Sequence, residues 1–228
     1  MKLNQPIQAV IFDFDGVIAD TEPLHYASFN QVVVPGGMGC TWEEYQQHYM
    51  GFDDRDLFRE AYRRKGQRLT DDQIKTLLDE KADAFVGLVA KGVAPYVGIP
   101  EVVQGLAEHL PLALCSGALR SDIEPVLRLF QLDTAFPVQV TAEDVPRSKP
   151  DPTCYCLAVD RLAVHYQRLF EPDACVAVED TPAGISAARE AGLHVVAVTH
   201  THHRSTLEAA DAIYDSLPAF AADYLNHG

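Results

Sequence analysis

Residues 7–16 read IQAVIFDFDG, an apolar run that ends in two aspartates and a glycine. Residues 7–12 have the length of a strand, and such a continuous apolar run is typical of a parallel strand covered by helices on both faces. In extended backbone, residues two apart point to one face, so the carboxylates of Asp13 and Asp15 can converge just past the strand. Open parallel sheets bind their ligands at this edge. The stretch therefore predicts a fold class and the position of a site.

Three further apolar runs of strand length lie at residues 112–115, 175–178 and 194–198. Helical patterns separate them. A capping box of Ser121 with Glu124 predicts one helix start, and the pairs Asp151-Pro152 and Thr181-Pro182 predict two more. Strands that alternate with helices in this way predict an α/β fold, a doubly wound and Rossmann-like parallel sheet.

Residues 18–92, here called the helical insertion, interrupt this alternation. They contain no convincing strand, and capping boxes at Thr41 with Glu44 and at Thr70 with Gln73 indicate helices. We therefore predict two domains: a Rossmann-like core of residues 1–17 and 93–228, and a small all-helical domain formed by the insertion.

Composition excludes several classes of function. The chain of 228 residues carries 18 Lys and Arg against 33 Asp and Glu, a formal net charge of −15. This excess opposes binding to nucleic acid and to anionic membranes, both of which need basic surfaces. No apolar run reaches the roughly 18 residues of a membrane span, and the first residues lack the pattern of a signal peptide. We expect a cytoplasmic protein, a monomer or weak homo-oligomer, whose partner is a small molecule.

The five cysteines do not suggest a disulfide framework, because they are odd in number and irregularly spaced. We expect reduced thiols. Cys154 and Cys156 lack a second pair at zinc-finger spacing, so we interpret them as two small residues on the core side of a helix.

A second pair of acids extends the site predicted at Asp13. Glu179 and Asp180 follow the strand at residues 175–178 and precede a helix start, so they occupy the same edge of the sheet. Carboxylates that converge on one crevice favour a hard divalent cation with oxygen ligands, and Mg²⁺ suits such an open site. Taken alone, Asp180 could instead be an acid placed at a helix N-terminus.

Two short motifs could hold an anion beside this metal. Ser116 and Gly117 directly follow the strand at residues 112–115, where a hydroxyl and backbone N–H groups suit a phosphate oxygen. Lys149 precedes a helix start and could neutralise a phosphoryl group or a carboxylate. Each motif alone is also compatible with an ordinary turn or a solvated charge.

The order D-F-D-G, S-G, K-P and E-D resembles the haloacid dehalogenase superfamily of phosphotransferases. The resemblance covers essentially the whole chain. It is strongest to the branch with a small helical cap after the first strand, which includes β-phosphoglucomutase and many sugar-phosphate and phosphoglycolate phosphatases. It implies a Mg²⁺-dependent phosphatase acting on a small phosphorylated metabolite such as a sugar phosphate, with a phosphomutase as the alternative.

The resemblance also implies a role for each site residue. Asp13 would be the nucleophile that becomes an aspartyl phosphate, and Asp15 the general acid and base. Mg²⁺ would be held by the Asp13 carboxylate, the Asp15 carbonyl and Asp180, with support from Glu179. The phosphoryl group would be held by Ser116, Gly117 and Lys149.

Three residues of the insertion are candidates for substrate recognition. His25 lies ten residues after Asp15, the spacing of a cap histidine in β-phosphoglucomutase, and Lys81 falls where the mutase has a lysine. Lys81 could equally be a solvated helix charge. Arg55 lies one position later than the arginine of the mutase, so recognition of a second phosphate by the mutase geometry is in doubt. With Arg59 and Arg63 it forms either a stripe that attracts an anionic substrate or a solvated helix face.

Two further hypotheses follow from other features. His200, His202 and His203 could form a transition-metal site, but no carboxylate or cysteine stands at diagnostic spacing, so we interpret the segment as a surface loop. A phospho-dependent, Mg²⁺-binding interaction module is the non-enzyme alternative. The helical insertion and the presence of both Asp13 and Asp15 favour the enzyme.

Overall fold

The sheet has six parallel strands in the part of the chain that the structure, a computed structural model, describes: residues 6–50 and 52–227. Residues 1–5, Gly51 and Gly228, which the predicted domains include, lie outside this part. The strands stand in the order β3-β2-β1-β4-β5-β6, so β1 is central. The predicted α/β class with a Rossmann-like sheet is confirmed. The strands are β1 (Ala9–Phe12), β2 (Leu112–Cys115), β3 (Val138–Val140), β4 (Cys175–Glu179), β5 (His194–Val198) and β6 (Ala212–Tyr214).

Both faces of the sheet are covered, as the continuous apolar runs predict. Val10 and Phe12 of β1 point into one apolar cluster, whereas Ala9 and Ile11 point into another. The first cluster includes residues of α4, α5, α6 and α9, and the second residues of α7 and α8. The helices are α1 (Glu22–Val33), α2 (Trp42–His48), α3 (Asp54–Arg64), α4 (Asp71–Val89), α5 (Ile99–Ala107), α6 (Arg120–Leu129), α7 (Thr153–Tyr166), α8 (Pro182–Glu190) and α9 (Leu217–His227).

Helices α1 to α4 belong to the helical insertion and pack around an apolar cluster of their own. Phe29 on α1 lies at its centre, with its ring 5.5 Å from that of Phe58 on α3 and 6.3 Å from that of Tyr45 on α2. Phe85 and Val89, near the end of α4, pack instead into the cluster beside the sheet. The insertion thus has its own core and one helix anchored on the sheet.

Several predicted helix starts are confirmed. Thr41 and Thr70 each form a complete capping box, with Glu44 and Gln73 respectively. The Thr181 side chain accepts a hydrogen bond from the Gly184 N–H at the start of α8, as predicted.

Two helix starts differ from the prediction. The predicted capping box of Ser121 with Glu124 is wrong, because α6 begins one residue earlier, at Arg120. The Arg120 N–H donates a hydrogen bond of 3.0 Å to the carboxylate of Glu143, which is distant in the chain. Helix α7 begins at Thr153, one residue after the predicted Pro152, and the Asp151 carboxylate accepts from the Thr153 N–H. In the first case a long-range contact replaces a local cap.

Two further observations bear on the sequence interpretation. Cys154 is buried but Cys156 is exposed, so the interpretation of both as core-side residues is wrong for Cys156; residues two apart on a helix face different ways. All five cysteines are free thiols. Within residues 6–50 and 52–227, no helix is long and apolar enough to cross a membrane.

Candidate active site

Three carboxylates converge beyond the ends of β1 and β4. Asp13, Glu179 and Asp180 each offer one oxygen, and these oxygens lie within 4.8 Å of one another. The Asp13 N–H donates to the Val178 carbonyl at 2.9 Å, which extends the pairing of β1 with β4 by one residue and fixes the position of Asp13. Gly16 has a φ of +77°, and a Cβ there would overlap the Asp180 carboxylate, so the turn passes close to Asp180.

Lys149 forms ion pairs with two of these acids, Asp13 and Glu179. Its Nζ lies 3.0 Å from Asp13 Oδ1 and 2.7 Å from Glu179 Oε1, and it donates to the Cys115 carbonyl at 2.8 Å. Although burial alone would lower it, the carboxylates of Asp13 and Glu179 hold the pKa of Lys149 well above its usual range. Lys149 is therefore a fixed positive charge beside Asp13.

One lysine does not balance three buried acids. Burial, and then the neighbouring Glu179 carboxylate, raise the pKa of Asp13 well above its ordinary value and raise that of Asp180 to about 8. Asp180 Oδ2 accepts a hydrogen bond from the Thr201 hydroxyl, but Oδ1 is buried and has no partner among the described residues. If all three acids were ionised, the group would carry more negative charge than Lys149 balances, and one of its oxygens has no partner among the described residues.

Glu179 is held differently from its two neighbours. Its Oε1 accepts from the Tyr155 hydroxyl at 2.6 Å as well as from Lys149, and its Oε2 accepts from the Asp180 N–H at 3.2 Å and the Thr181 hydroxyl at 3.3 Å. A Cβ at Gly184 would overlap this carboxylate. Glu179 is thus fully hydrogen-bonded within the protein and positions Lys149.

Asp15 faces the insertion. Its Oδ1 accepts from the Thr21 hydroxyl and lies 3.3 Å from His25 Nε2, and its Oδ2 accepts from the Ser116 hydroxyl at 3.3 Å. Although burial alone would raise it, the hydrogen bonds from His25 and Thr21 lower the pKa of Asp15. Asp15 is therefore ionised in the site as it stands.

A buried chain of polar groups extends from Asp15 into the insertion. Lys81 on α4 is completely buried, and its Nζ lies 2.9 Å from His25 Nδ1 and 2.8 Å from Asp54 Oδ2. It also lies 3.6 Å from Asp122 Oδ2 on α6. Although burial alone would lower it, Asp54 and Asp122 raise the pKa of Lys81. The interpretation of Lys81 as a solvated helix charge is therefore wrong.

The site opens into a cavity of about 480 Å³ between the sheet edge and the insertion. Six of the predicted site residues line its wall, and two more lie next to it. Ser116 is bound to Asp15 at its edge, and Glu179 lies beneath Asp180. The predicted site residues in the wall are Asp13, Asp15, His25, Gly117, Lys149 and Asp180.

Arg55 does not line this cavity. Its guanidinium donates to the Ala142 carbonyl at 2.5 Å, across the boundary between α3 and the sheet side. Arg59 and Arg63 are exposed, and they pair with Asp56 and Glu60 on their own helix. This arrangement agrees with a solvated helix face rather than with a stripe that leads into the cavity.

The sequence interpretation missed several polar groups of the site. Thr21 has the position of a helix cap, yet its hydroxyl binds Asp15 and makes no cap hydrogen bond. Tyr155 lies in an apolar helix pattern, and its hydroxyl binds Glu179. Nothing in the local sequence separates these residues from caps and core, because their partners are distant in the chain.

The segment with the three histidines His200, His202 and His203 borders the site. His200 stacks on Tyr96 with ring centroids 4.0 Å apart, and its Nδ1 lies 2.8 Å from the Gly16 carbonyl. His202 lines the cavity, whereas His203 is exposed. His200 and His202 thus lie in a half-buried loop at the border of the site, which the surface-loop interpretation did not predict, and none of the three histidines belongs to a candidate metal-binding group among the described residues.

Comparisons with known proteins agree on one family. The sequence matches the family described as "Haloacid dehalogenase-like hydrolase" over residues 10–198. A phosphorylated carbohydrates phosphatase of Thermotoga maritima is 30% identical over 200 residues, covering 86% of this chain and 87% of that protein. Protein CbbY of Rhodobacter capsulatus is 29% identical over 223 residues, covering 94% and 96% of the two chains.

A solved structure shares the architecture. A mutant CbbY from Rhodobacter sphaeroides, in complex with xylulose 1,5-bisphosphate, superposes with a TM-score of 0.82 at 26% identity. The similarity covers 92% of this chain and 95% of that one.

Proposed function

Because the chain belongs to the family of haloacid dehalogenase-like hydrolases, in its phosphatase and phosphomutase-like branch, we propose that it is a phosphatase of a small phosphorylated metabolite. The observation that carries the proposal is the meeting of Asp13, Asp15 and Lys149 in the wall of one cavity. The relative from Thermotoga maritima, named as a phosphatase of phosphorylated carbohydrates, supports a sugar phosphate as substrate.

The acids fit a divalent cation. The unpartnered Asp180 Oδ1, and the raised pKa values of Asp13 and Asp180, are features that a cation would relieve. An all-oxygen set of this kind suits Mg²⁺. We propose that the carboxylates of Asp13 and Asp180 and the carbonyl of Asp15 hold the ion, and that Glu179 supports them. When bound, Mg²⁺ would neutralise charge on the transferring phosphoryl group.

Asp13 is the proposed nucleophile. Its Oδ1 is fixed by the Phe14 N–H at 2.7 Å and by Lys149 at 3.0 Å, so the carboxylate is held rigidly at the cavity wall. Attack on phosphorus forms an aspartyl phosphate and breaks the bond to the leaving oxygen. Lys149, the Ser116 hydroxyl and the backbone near Gly117 would hold the non-bridging oxygens.

Asp15 is the proposed acid and base. In the first step its carboxyl would give a proton to the leaving alkoxide, and in the second its carboxylate would take one from water. The free site favours the ionised form of Asp15, because Thr21 and His25 stabilise it. The negative phosphoryl group of a bound substrate would favour the protonated form that the first step requires.

We also propose that the helical insertion, residues 18–92, is a cap domain. Its helices α1 to α3 supply one wall of the cavity, and the core supplies the other. Hydrogen bonds join the insertion to the core, among them those of Arg55 to the Ala142 carbonyl and of the Ser148 hydroxyl to Asp53. A cap that closes over the site would exclude bulk water and define the substrate.

The test is phosphate release from p-nitrophenyl phosphate and from a panel of sugar phosphates, with Mg²⁺ and with EDTA. We expect metal-dependent release, and we expect Asp13→Asn to lower kcat on the order of 10³-fold or more while the protein stays folded. Asp133→Asn, a change at an exposed residue outside the cavity, is the matched control.

Two results would contradict the proposal. Substantial turnover by Asp13→Asn would exclude the covalent mechanism. Conversion of β-glucose 1-phosphate to glucose 6-phosphate in the presence of a bisphosphate primer, with little phosphate release, would show a phosphomutase instead.

A further inference from the structure

The part of the cavity wall that the insertion contributes contains mainly acidic and aromatic side chains. It contributes three carboxylates and no lysine or arginine among the described residues. Across the described part of the wall as a whole, Lys149 is the one lysine or arginine, and it is bound to Asp13 and Glu179. The acidic and aromatic side chains of the insertion in the wall are Glu22, Asp53, Asp54, Tyr45 and Phe52.

The basic residues near this wall are engaged elsewhere. Arg55 is bonded to the Ala142 carbonyl, and Lys81 is completely buried behind the wall with its ammonium on Asp54 and near Asp122. Arg147, close to Lys149 in sequence, is exposed and paired with Asp151. Among the described residues of the wall, no lysine or arginine is therefore free to receive a second anionic group of a substrate, and the His25 ring is already bound to Asp15 and Lys81.

We propose, on the basis of the function proposed above, that the enzyme selects monophosphate esters whose leaving group is uncharged and rich in hydroxyl groups, and that it discriminates against bisphosphates. The reacting phosphoryl group lies beside Lys149, and the rest of the substrate extends toward Glu22 and Tyr45. The specificity is set by the acidic wall and by the engagement of Arg55 and Lys81 in internal contacts.

Of the acids that the insertion contributes to the wall, we assign Glu22 to receive the leaving group, since Asp54 is bound to Lys81. The two oxygens of Asp53 are occupied by the Asp56 N–H at 2.8 Å and by the Ser148 hydroxyl. Glu22 is only partly buried, and it is hydrogen-bonded to the Tyr45 hydroxyl. It keeps acceptor capacity for sugar hydroxyl groups. Burial raises the pKa of Glu22, but neither of its protonation states offers a positive charge to a phosphate.

The physical basis is the cost of an uncompensated charge. On binding, a second phosphate group would lose its hydration and lie beside a carboxylate, with no cation to balance the two negative charges. Such a like-charge contact disfavours binding. A hydroxyl group at the same place loses nothing, because the carboxylate accepts its hydrogen bond. Phe52, about half exposed at 48%, adds an apolar surface for the C–H face of a sugar ring.

The test compares matched pairs: fructose 1-phosphate with fructose 1,6-bisphosphate, and glucose 6-phosphate with glucose 1,6-bisphosphate. We expect kcat/KM to be at least roughly tenfold higher for the monophosphate of a pair, a difference of about 1.4 kcal/mol. Equal or better use of the bisphosphates would overturn the inference, while release from p-nitrophenyl phosphate would still support the phosphatase.

Glu22→Gln tests the origin of the preference. We expect the ratio of monophosphate to bisphosphate kcat/KM to fall at least threefold, because the variant removes the negative charge that faces the leaving group. Glu43→Gln removes the same charge from an exposed position on α2 and should leave the ratio unchanged. An unchanged ratio in Glu22→Gln would overturn the assignment to this residue.

Calorimetric titration of the same pairs into Asp13→Asn with Mg²⁺ separates binding from turnover. We expect at least roughly tenfold weaker binding of the bisphosphate in each pair. Equal Kd values would overturn the inference whether or not the wild type releases phosphate. If Asp13→Asn binds the monophosphates more tightly but the wild type releases no phosphate, the proposed phosphatase activity is contradicted and the proposed selection against bisphosphates is supported.

Discussion

Lys81 Nζ lies 2.9 Å from His25 Nδ1, and this contact assigns the tautomer of the histidine. A lysine ammonium only donates hydrogen bonds, so Nδ1 must accept and the proton must be on Nε2. Nε2, 3.3 Å from Asp15 Oδ1, is then the donor to that carboxylate. Lys81 thus acts on Asp15 through His25, as a positioning residue, and is held for this role by the acids Asp54 and Asp122.

We predict that Lys81→Met lowers the free energy of unfolding by roughly 3–5 kcal/mol, because it leaves the buried carboxylates of Asp54 and Asp122 without their cation. It should also lower kcat more than it changes KM, because His25 loses the donor that fixes its tautomer. Urea denaturation and steady-state kinetics measure the two effects.

Lys75→Met, an exposed change on the same helix, is the control and should alter neither quantity appreciably. The double variant Lys81→Met with Asp54→Asn should regain part of the lost stability, since it removes one of the unpaired charges. If the free energy of unfolding of Lys81→Met were within about 1 kcal/mol of the wild-type value, the stabilising role of these ion pairs would be contradicted.

If Lys149 holds the phosphoryl group as proposed, Lys149→Met should lower kcat/KM on the order of 10²-fold or more, because that group and Asp13 both lose their fixed cation. It should also lower the free energy of unfolding by roughly 3–5 kcal/mol, because three buried carboxylates are left together. Phosphate release and urea denaturation test this, again beside Lys75→Met. Wild-type stability in the variant would show that Lys149 does not balance these acids.

Gly184→Ala should displace the Glu179 carboxylate, because the added Cβ would overlap it. We expect a stability loss of roughly 1–3 kcal/mol from overpacking and a lower kcat, since Glu179 positions Lys149. Gly87→Ala on α4, where a Cβ meets nothing within 4 Å, should instead stabilise the protein by up to about 1 kcal/mol. Thermal unfolding of the two variants distinguishes a packing effect from a general effect of the substitution; equal shifts would contradict the clash.

The lowered pKa of Asp144 predicts how the free energy of unfolding depends on pH. Although burial alone would raise it, hydrogen bonds from Arg161 and Thr141 hold the pKa of Asp144 at about 2, below its ordinary value of 3.8. Since the folded pKa is the lower one, the stabilisation is fully present above pH 3.8 and disappears as the pH falls through about 2. Solvent screening limits it to about 1 kcal/mol.

Asp144→Asn should therefore lower the free energy of unfolding by about 1 kcal/mol at pH 7, and the difference from the wild type should be roughly halved at pH 3. Urea denaturation at both pH values measures it. Asp133→Asn, at an exposed position, should show no such dependence. A difference that grows as the pH falls would contradict the sign derived from the pKa of Asp144.

The sequence predicts the sheet edge and the acids of the site because these residues directly follow buried strands. Asp13 follows β1, Glu179 ends β4, and Ser116 follows β2, so apolar runs alone bring them together. Strands β3 and β6 give no such signal. Each has three residues, β3 contains Gln139, and β6 is only half buried.

Partners that are distant in the chain lie beyond this kind of prediction. The burial of Lys81 depends on Asp54, 27 residues away, and on Asp122 in another helix, so its local pattern looks like that of any solvated lysine. The start of α6 depends in the same way on Glu143, 23 residues from Arg120. Periodicity and capping describe a helix, but not what packs against it.

The central place of β1 has a consequence for synthesis of the chain. This strand is made first, yet its two neighbours begin at residues 112 and 175. At 5–20 residues per second, roughly ten to thirty seconds separate the completion of β1 from that of β4. During this interval an apolar strand has an unpaired edge, and Asp13 and Asp15 exist without Asp180. The proposed site can thus form only after β4 and Asp180 have left the ribosome.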